Sequence, residues 1–132
     1  MKFNVRSLTE SDYETLVEWW DWWPGWAAPP KTFLPKTGLM ITKGDKNIAA
    51  CYYYLTNSKA AFVEWIISNP QYRDKDRKEA LSTLITVAEG VLKELGVVHV
   101  MTMGRHPSLL KIHKELGWVI DPTPSHEIIK NL

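Results

Sequence analysis

Cysteine is nearly absent from this chain. Cys51 stands alone, so no disulfide can close within the molecule, and its place in the apolar run AACYYYL reads as a buried structural thiol rather than a reactive nucleophile. Nowhere do about 18 apolar residues follow one another, which excludes a membrane-spanning helix, and MKFNVRSL lacks an apolar core of signal-peptide length. A cytoplasmic, reducing setting is expected. Charge of one sign is also missing: 16 basic residues face 15 acidic ones, a net charge of +1. Nucleic-acid binders usually carry a clear basic excess, so such a partner is not expected beyond a local patch. There is no internal repeat, no G-x-S-x-G element, no Walker-type phosphate loop and no triad. His99, His106, His113 and His126 lack Cys or carboxylate partners at ligand spacing, and no metal site is expected.

What is present fits one compact domain over residues 1–132, with 45% apolar residues to build its core. Phe3 to Leu8 reads as a strand. Thr9 and Asp12 resemble a capping pair ahead of Tyr13, Leu16, Val17 and Trp20, which recur at helical spacing. Five prolines and glycines between Asp21 and Gly38 (Pro24, Gly25, Pro29, Pro30, Pro35) impose a long loop with room for one helical turn. Leu39 to Thr42 and Ile48 to Leu55 flank a hairpin connection, and Ala60 to Ile67 makes a third strand of that series. Asp76 to Leu95 carries apolar residues along one helical face and stops at Gly96; Val97 to Met103 returns as a strand. Pro107 opens a helix that Gly117 ends, and Trp118 to Ile120 and His126 to Ile129 read as two closing strands. The helix between Ala60–Ile67 and Val97–Met103 allows those strands to run parallel by a right-handed crossover.

The turn NPQYRDKDRKEAL, from Asn69 to Leu81, links the third strand of the series to the longest helix. A helix amino terminus offers unsatisfied N–H groups and partial positive charge, and Arg73, Lys75, Arg77 and Lys78 surround this one. Either it holds a phosphate or it is a solvated basic helix start.

Here the residues resemble a family. IISNPQYRDKDRKEAL, followed by HPSLLKIHKELGW, is similar to the two signature regions of the GNAT acyltransferase superfamily: Pro70, Tyr72, Arg73, Ala80 and Leu81 match the first, Leu116, Gly117 and Trp118 the second. VRSLTESDYETL resembles the family's opening strand and helix start. The resemblance implies an α+β fold with a central mixed, mostly antiparallel sheet of six to seven strands and three to four helices on both faces. It also implies acetyl-CoA, or another acyl-CoA, as acyl donor to a small-molecule or protein amine. Its cofactor contacts would be the backbone of Ile66, Ile67 and Ser68 along the pantetheine arm, then Arg73, Asp74, Lys75, Asp76, Arg77 and Lys78 in the phosphate turn, and His106 in the second signature. Asp76 and Lys78 stand where the family has glycines, which removes conformational freedom and puts a carboxylate near phosphates.

For catalysis the resemblance points to Glu64 as base and to His113, at the position of the family's proton-donating Tyr, as acid. Strict alternation along the strand would set Glu64, Ile66 and Ser68 on one face and Val63, Trp65 and Ile67 on the other. Glu64 is then either a base in a cleft or a salt-bridged carboxylate, and His113 either an acid or a structural histidine. Trp20 continues the core face of the first helix. Trp22, Trp23 and Trp26 cannot all point inward; with Asp21 they form either an acceptor-binding wall or a lid over the core. Two classes of function follow: an N-acetyltransferase, or a GNAT-fold binding or regulatory module using the tryptophan loop. A nucleotide amine acceptor is a weaker third, and a homodimer stays open.

Overall fold

In the computed structural model, which describes residues 2–132, five strands form one sheet in the order β1-β2-β3-β4-β5. Strand β1 is Asn4–Ser7, β2 Gly38–Lys43, β3 Lys46–Leu55, β4 Ala60–Ser68 and β5 His99–Met101. The first four pair antiparallel, and β4 pairs parallel with β5. Helix α1 (Asp12–Trp22) packs on one face, α2 (Arg77–Glu94) on the other, and α3 (Pro107–Glu115) lies beside α2. The mixed, mostly antiparallel sheet and the helices on both faces are as expected.

Helix α1 buries Leu16, Trp19 and Trp20, one and a half turns of a single stripe, against Met40, Ala50, Tyr52 and Ile67. Pro24 ends it, because the residue before a proline is driven out of the helical region, and Trp23 is extended at ψ 125°. On the opposite face α2 buries Ala80, Leu84, Ala88 and Leu92 against the β2–β4 core, and Ile85 is buried as well. Each large apolar side chain so buried contributes about 1.5–3 kcal/mol. Helices α2 and α3 close in the same way: Gly96 and Gly117 take φ of +86° and +93°, and Val97 N–H and Trp118 N–H reach back to the Leu92 and His113 carbonyls, both at 3.0 Å. Cys51 is fully buried, and burial pushes its thiol up to about 12. Among the described residues no helix is long and apolar enough to cross a membrane.

Three expectations are corrected. The closing segments Trp118–Ile120 and His126–Ile129 form no strands, so the sheet has five rather than six or seven. The chain between them holds Pro122 and Pro124, which cannot donate to a ladder, and Val119 and Ile128 stay almost wholly exposed. Strand β5 is three residues long instead of seven. Strict alternation in β4 also fails: Tyr52 lies opposite Glu64 and Ala50 opposite Ile67, so Trp65 and Ile66 share the one partner position of Cys51. This bulge sends Ile67 to the α1 face while Val63 faces α2.

Candidate active site

Strands β4 and β5 pair only through Ala60–His99, Ala61–Val100 and Phe62–Met101. Beyond Phe62, β4 runs on for six residues with no partner on that side. The bulge sits within this unpaired stretch, three residues past the last pair. Trp65 there has φ +58°, the only positive φ at a non-glycine residue among those described. Such a conformation costs of order 1–3 kcal/mol and persists only where neighbours hold it. The indole is held on three sides: Trp20 and Phe33 meet it edge-on at 6.3 and 5.5 Å, and its Nε1–H donates to the Tyr54 hydroxyl at 2.8 Å.

Glu64 stands at this parting. Its Oε1 accepts the Met103 N–H at 3.0 Å, bridging the gap just after β5 ends. Burial pushes the carboxyl up to about 7; the Met103 N–H opposes that rise and the nearby charge of Glu127 reinforces it. A carboxyl tuned to that range can accept a proton from an ammonium near neutral pH.

The basic turn opens α2 at the end of β4. Asn69 fixes it, with its N–H on the Ile48 carbonyl, its amide on the Asn47 carbonyl and its side-chain oxygen on Gln71 N–H, each within 2.9 Å. No side chain caps the helix; Arg77 N–H is taken by the Asp74 carbonyl at 3.2 Å, which leaves the N–H groups of Lys78 and Glu79 available. Asp76 is not turned toward them as a rival anion. Its carboxylate accepts from Lys43 Nζ at 2.8 Å and from the Tyr72 hydroxyl at 2.6 Å, with Lys2 Nζ at 3.6 Å. Lys43 and Lys2 belong to the β1–β2 side of the sheet, opposite β5. The hydrogen bonds from Lys43 and Tyr72 hold Asp76 down at about 2, and the same Asp76 contact drives the Tyr72 hydroxyl up. Asp76 itself has φ −87°, and no residue of the turn has a positive φ. Without its glycines the turn is therefore unstrained.

Arg73 lies over the Trp22 ring at 5.3 Å and, with Lys75, Asp74, Asp76, Lys2 and Lys43, lines an open depression. Lys78 reaches Glu115 of α3 at 3.2 Å. Trp19 and Trp20 are core; Trp22 and Trp26 are nearly half exposed, and Trp23 Nε1–H points at the Ser68 carbonyl, 3.5 Å away at the end of β4. Trp26 stacks under Arg105, which pairs with Glu127 at 3.0 Å. The tryptophan loop thus spans from the basic turn to the β5–α3 connection, across the parted strands. Asp21 is exposed and forms no ion pair among the described residues.

The hydrogen bonds of the two histidines run to residues of α3. His106 caps α3, its Nδ1 receiving Ser108 N–H at 3.3 Å with the Ser108 hydroxyl at 2.7 Å. His113 is 3% exposed, with Nδ1 bonded to the Leu109 carbonyl at 2.9 Å and its ring edge-on to Trp118 at 4.9 Å. Its Nε2 is buried without a partner among the described residues. None of these contacts joins it to Glu64.

Sequence reasoning missed Lys2, Lys43, Met103, Arg105 and Glu127. The first four carry no local signal, since each matters through a contact with a distant element. Glu127 falls within the expected closing strand His126 to Ile129; it lies instead near Glu64 and Arg105, outside any strand.

No protein-family model and no curated protein matches the sequence. Solved structures do. An aminoglycoside acetyltransferase from an uncultured soil metagenomic sample aligns over 99% of this chain and 97% of its own, with TM-score 0.72 and 12% identity. The ribosomal-protein-S18-alanine N-acetyltransferase of Escherichia coli aligns over 87% and 76%, with TM-score 0.71 and 16% identity. A transcriptional regulator from Bacillus halodurans aligns over 98% and 99%, with TM-score 0.66 and 18% identity. The chain has the fold of these three structures, two acetyltransferases and a transcriptional regulator.

Proposed function

We propose that the protein is an acyl-CoA-dependent N-acyltransferase, most simply an acetyltransferase acting on a primary amine. One observation carries this reading: β4 and β5 separate beyond Phe62–Met101, the opening holds a half-buried carboxylate, and a basic helix start without a side-chain cap follows the end of β4. The residues fit an acyl-CoA. On the side that β5 leaves open, the β4 backbone from Ile66 to Ser68, where the Ser68 carbonyl meets Trp23 Nε1–H, offers a strand-like edge to an amide-containing arm, and the α2 amino terminus with Arg73, Lys75, Arg77 and Lys78 offers hydrogen bonds and charge to phosphates. Asp76, already neutralised by Lys43 and Lys2, leaves that positive field in place.

Acetyl-CoA would supply the thioester. Glu64 takes the proton from the acceptor ammonium, directly or through one water, while the cleft holds the freed nitrogen at the carbonyl carbon. The C–N bond forms, the C–S bond breaks, and the thiolate leaves to be protonated. Backbone N–H groups on the open side of β4 would supply the donors for the oxygen on which charge develops.

Thermal shift and calorimetry with acetyl-CoA test the reading. Saturable stabilisation is expected, about 2.7 kcal/mol at one hundred times Kd. Silence at millimolar acetyl-CoA and with longer acyl-CoAs would favour a binding module that uses the tryptophan loop.

A further inference from the structure

The face on which Glu64 stands discriminates among amines. Cross-strand register sets Tyr52 opposite Glu64 and Tyr54 opposite Phe62, so these side chains share one face of the sheet. Phe33 joins them from the loop before β2: its carbonyl accepts the Tyr54 hydroxyl at 2.8 Å and its ring packs edge-on to Trp65. Phe33 and Phe62 remain 40% and 37% exposed. An aromatic floor with open ring faces therefore borders a single half-buried carboxylate.

Charge on the rim points the same way. Glu127, the other acid that Glu64 senses, is paired with Arg105. Arg105 lies over Trp26, and Arg73, which has no carboxylate partner among the described residues, lies over Trp22. The Arg105 charge at this rim is met by Glu127, while Arg73 belongs to the basic turn that the acyltransfer reading gives to phosphates. A polycationic acceptor needs a carboxylate for each ammonium, and beside this floor Glu64 is the carboxylate left without a cationic partner among the described residues; one ammonium on a flat apolar body matches both.

Resting on the acyltransfer reading, we propose that the acceptor is a primary monoamine carried on an aromatic body, its ring seated on Phe33, Tyr54 and Phe62 and its nitrogen at Glu64. The transfer forms the amide N–C bond and breaks the thioester C–S bond; the amine proton passes to Glu64 and the thiolate is protonated from water.

The test is release of free CoA thiol at pH 8 and fixed ionic strength, with 2-phenylethylamine and tyramine against spermidine and kanamycin, beside calorimetry with acetyl-CoA. We expect kcat/KM for the aromatic amines at least tenfold above the polycations. Phe62→Ala should raise KM for 2-phenylethylamine about tenfold with Kd for acetyl-CoA unchanged, and Phe62→Leu should recover most of that loss. Preference for spermidine or kanamycin, or acetyl-CoA binding with no turnover of either aromatic amine, overturns the acceptor assignment and leaves cofactor use standing. Failure of acetyl-CoA to bind removes both.

Discussion

Glu64→Gln should make the protein more stable and much less active at the same pH. Burial raises this carboxyl from 4.5 to about 7. Between those values the folded protein holds a proton that the unfolded chain has lost, so stability falls as the pH climbs through that window. Taken whole, the shift amounts to about 3 kcal/mol, and partial solvent access reduces it to about 1–2 kcal/mol. Glutamine keeps an oxygen for the Met103 N–H and carries no charge, so the variant should exceed the parent by about 1–2 kcal/mol at pH 8 and match it near pH 4. Activity moves the other way. With ionisation near 7, charged Glu64 rises from roughly 9% at pH 6 to roughly 91% at pH 8, a tenfold gain in kcat/KM that the variant should lack. Its kcat should fall about a hundred- to ten-thousand-fold with Kd for acetyl-CoA unchanged. Urea unfolding at pH 4 and 8 and a pH–rate profile decide it. A variant that keeps the parent's pH profile, or loses stability at pH 8, would show that Glu64 is structural and not the base.

Three further outcomes are expected. Asp76→Gly restores the family's glycine but strands Lys43 and Tyr72, so it should lower Tm while changing Kd for acetyl-CoA less than about threefold; a large gain in affinity would mean that the carboxylate does oppose the phosphates. Arg6→Met removes the two-pronged contact to Asp12, with both N···O distances 2.9 Å; the Arg6 bond holds Asp12 down at about 2. That contact should be worth about 1–2 kcal/mol above the ordinary carboxyl range and be lost as pH falls from about 4 to 2, measured by urea unfolding. His113→Phe keeps the ring against Trp118 and removes the orphaned Nε2, so Tm should hold or rise and kcat stay within about threefold; a hundredfold loss in a folded variant would make His113 the proton donor.

The element order was legible because its signals are local. Gly96 and Gly117 close their helices, Gly44 and Asp45 turn the β2–β3 hairpin, and Pro24 ends α1, each through its own backbone preference. The Trp65 bulge was not legible. A left-handed residue usually announces itself as Gly or Asn, whereas here it is imposed by Trp20, Phe33 and Tyr54 gripping an indole, contacts that span up to 45 positions of sequence. The tail misled for the converse reason. Its Ile120, Ile128 and Ile129 read as strand, but a strand needs a partner, and three-residue β5 provides no ladder beyond Phe62–Met101. Glu64 could be singled out as an isolated carboxylate in an apolar strand; that Met103 N–H would meet it could not.

Trp22 and Trp26, each beneath a guanidinium at the rim of the parted strands, give the molecule a built-in optical reporter. Half-exposed indoles emit according to the polarity and charge beside them, so an anion that draws Arg73 away, or a ring that slides in beside Trp26, would change emission with no label attached. Trp19 and Trp20, sealed in the interior, supply a steady background signal against which such a titration can be read.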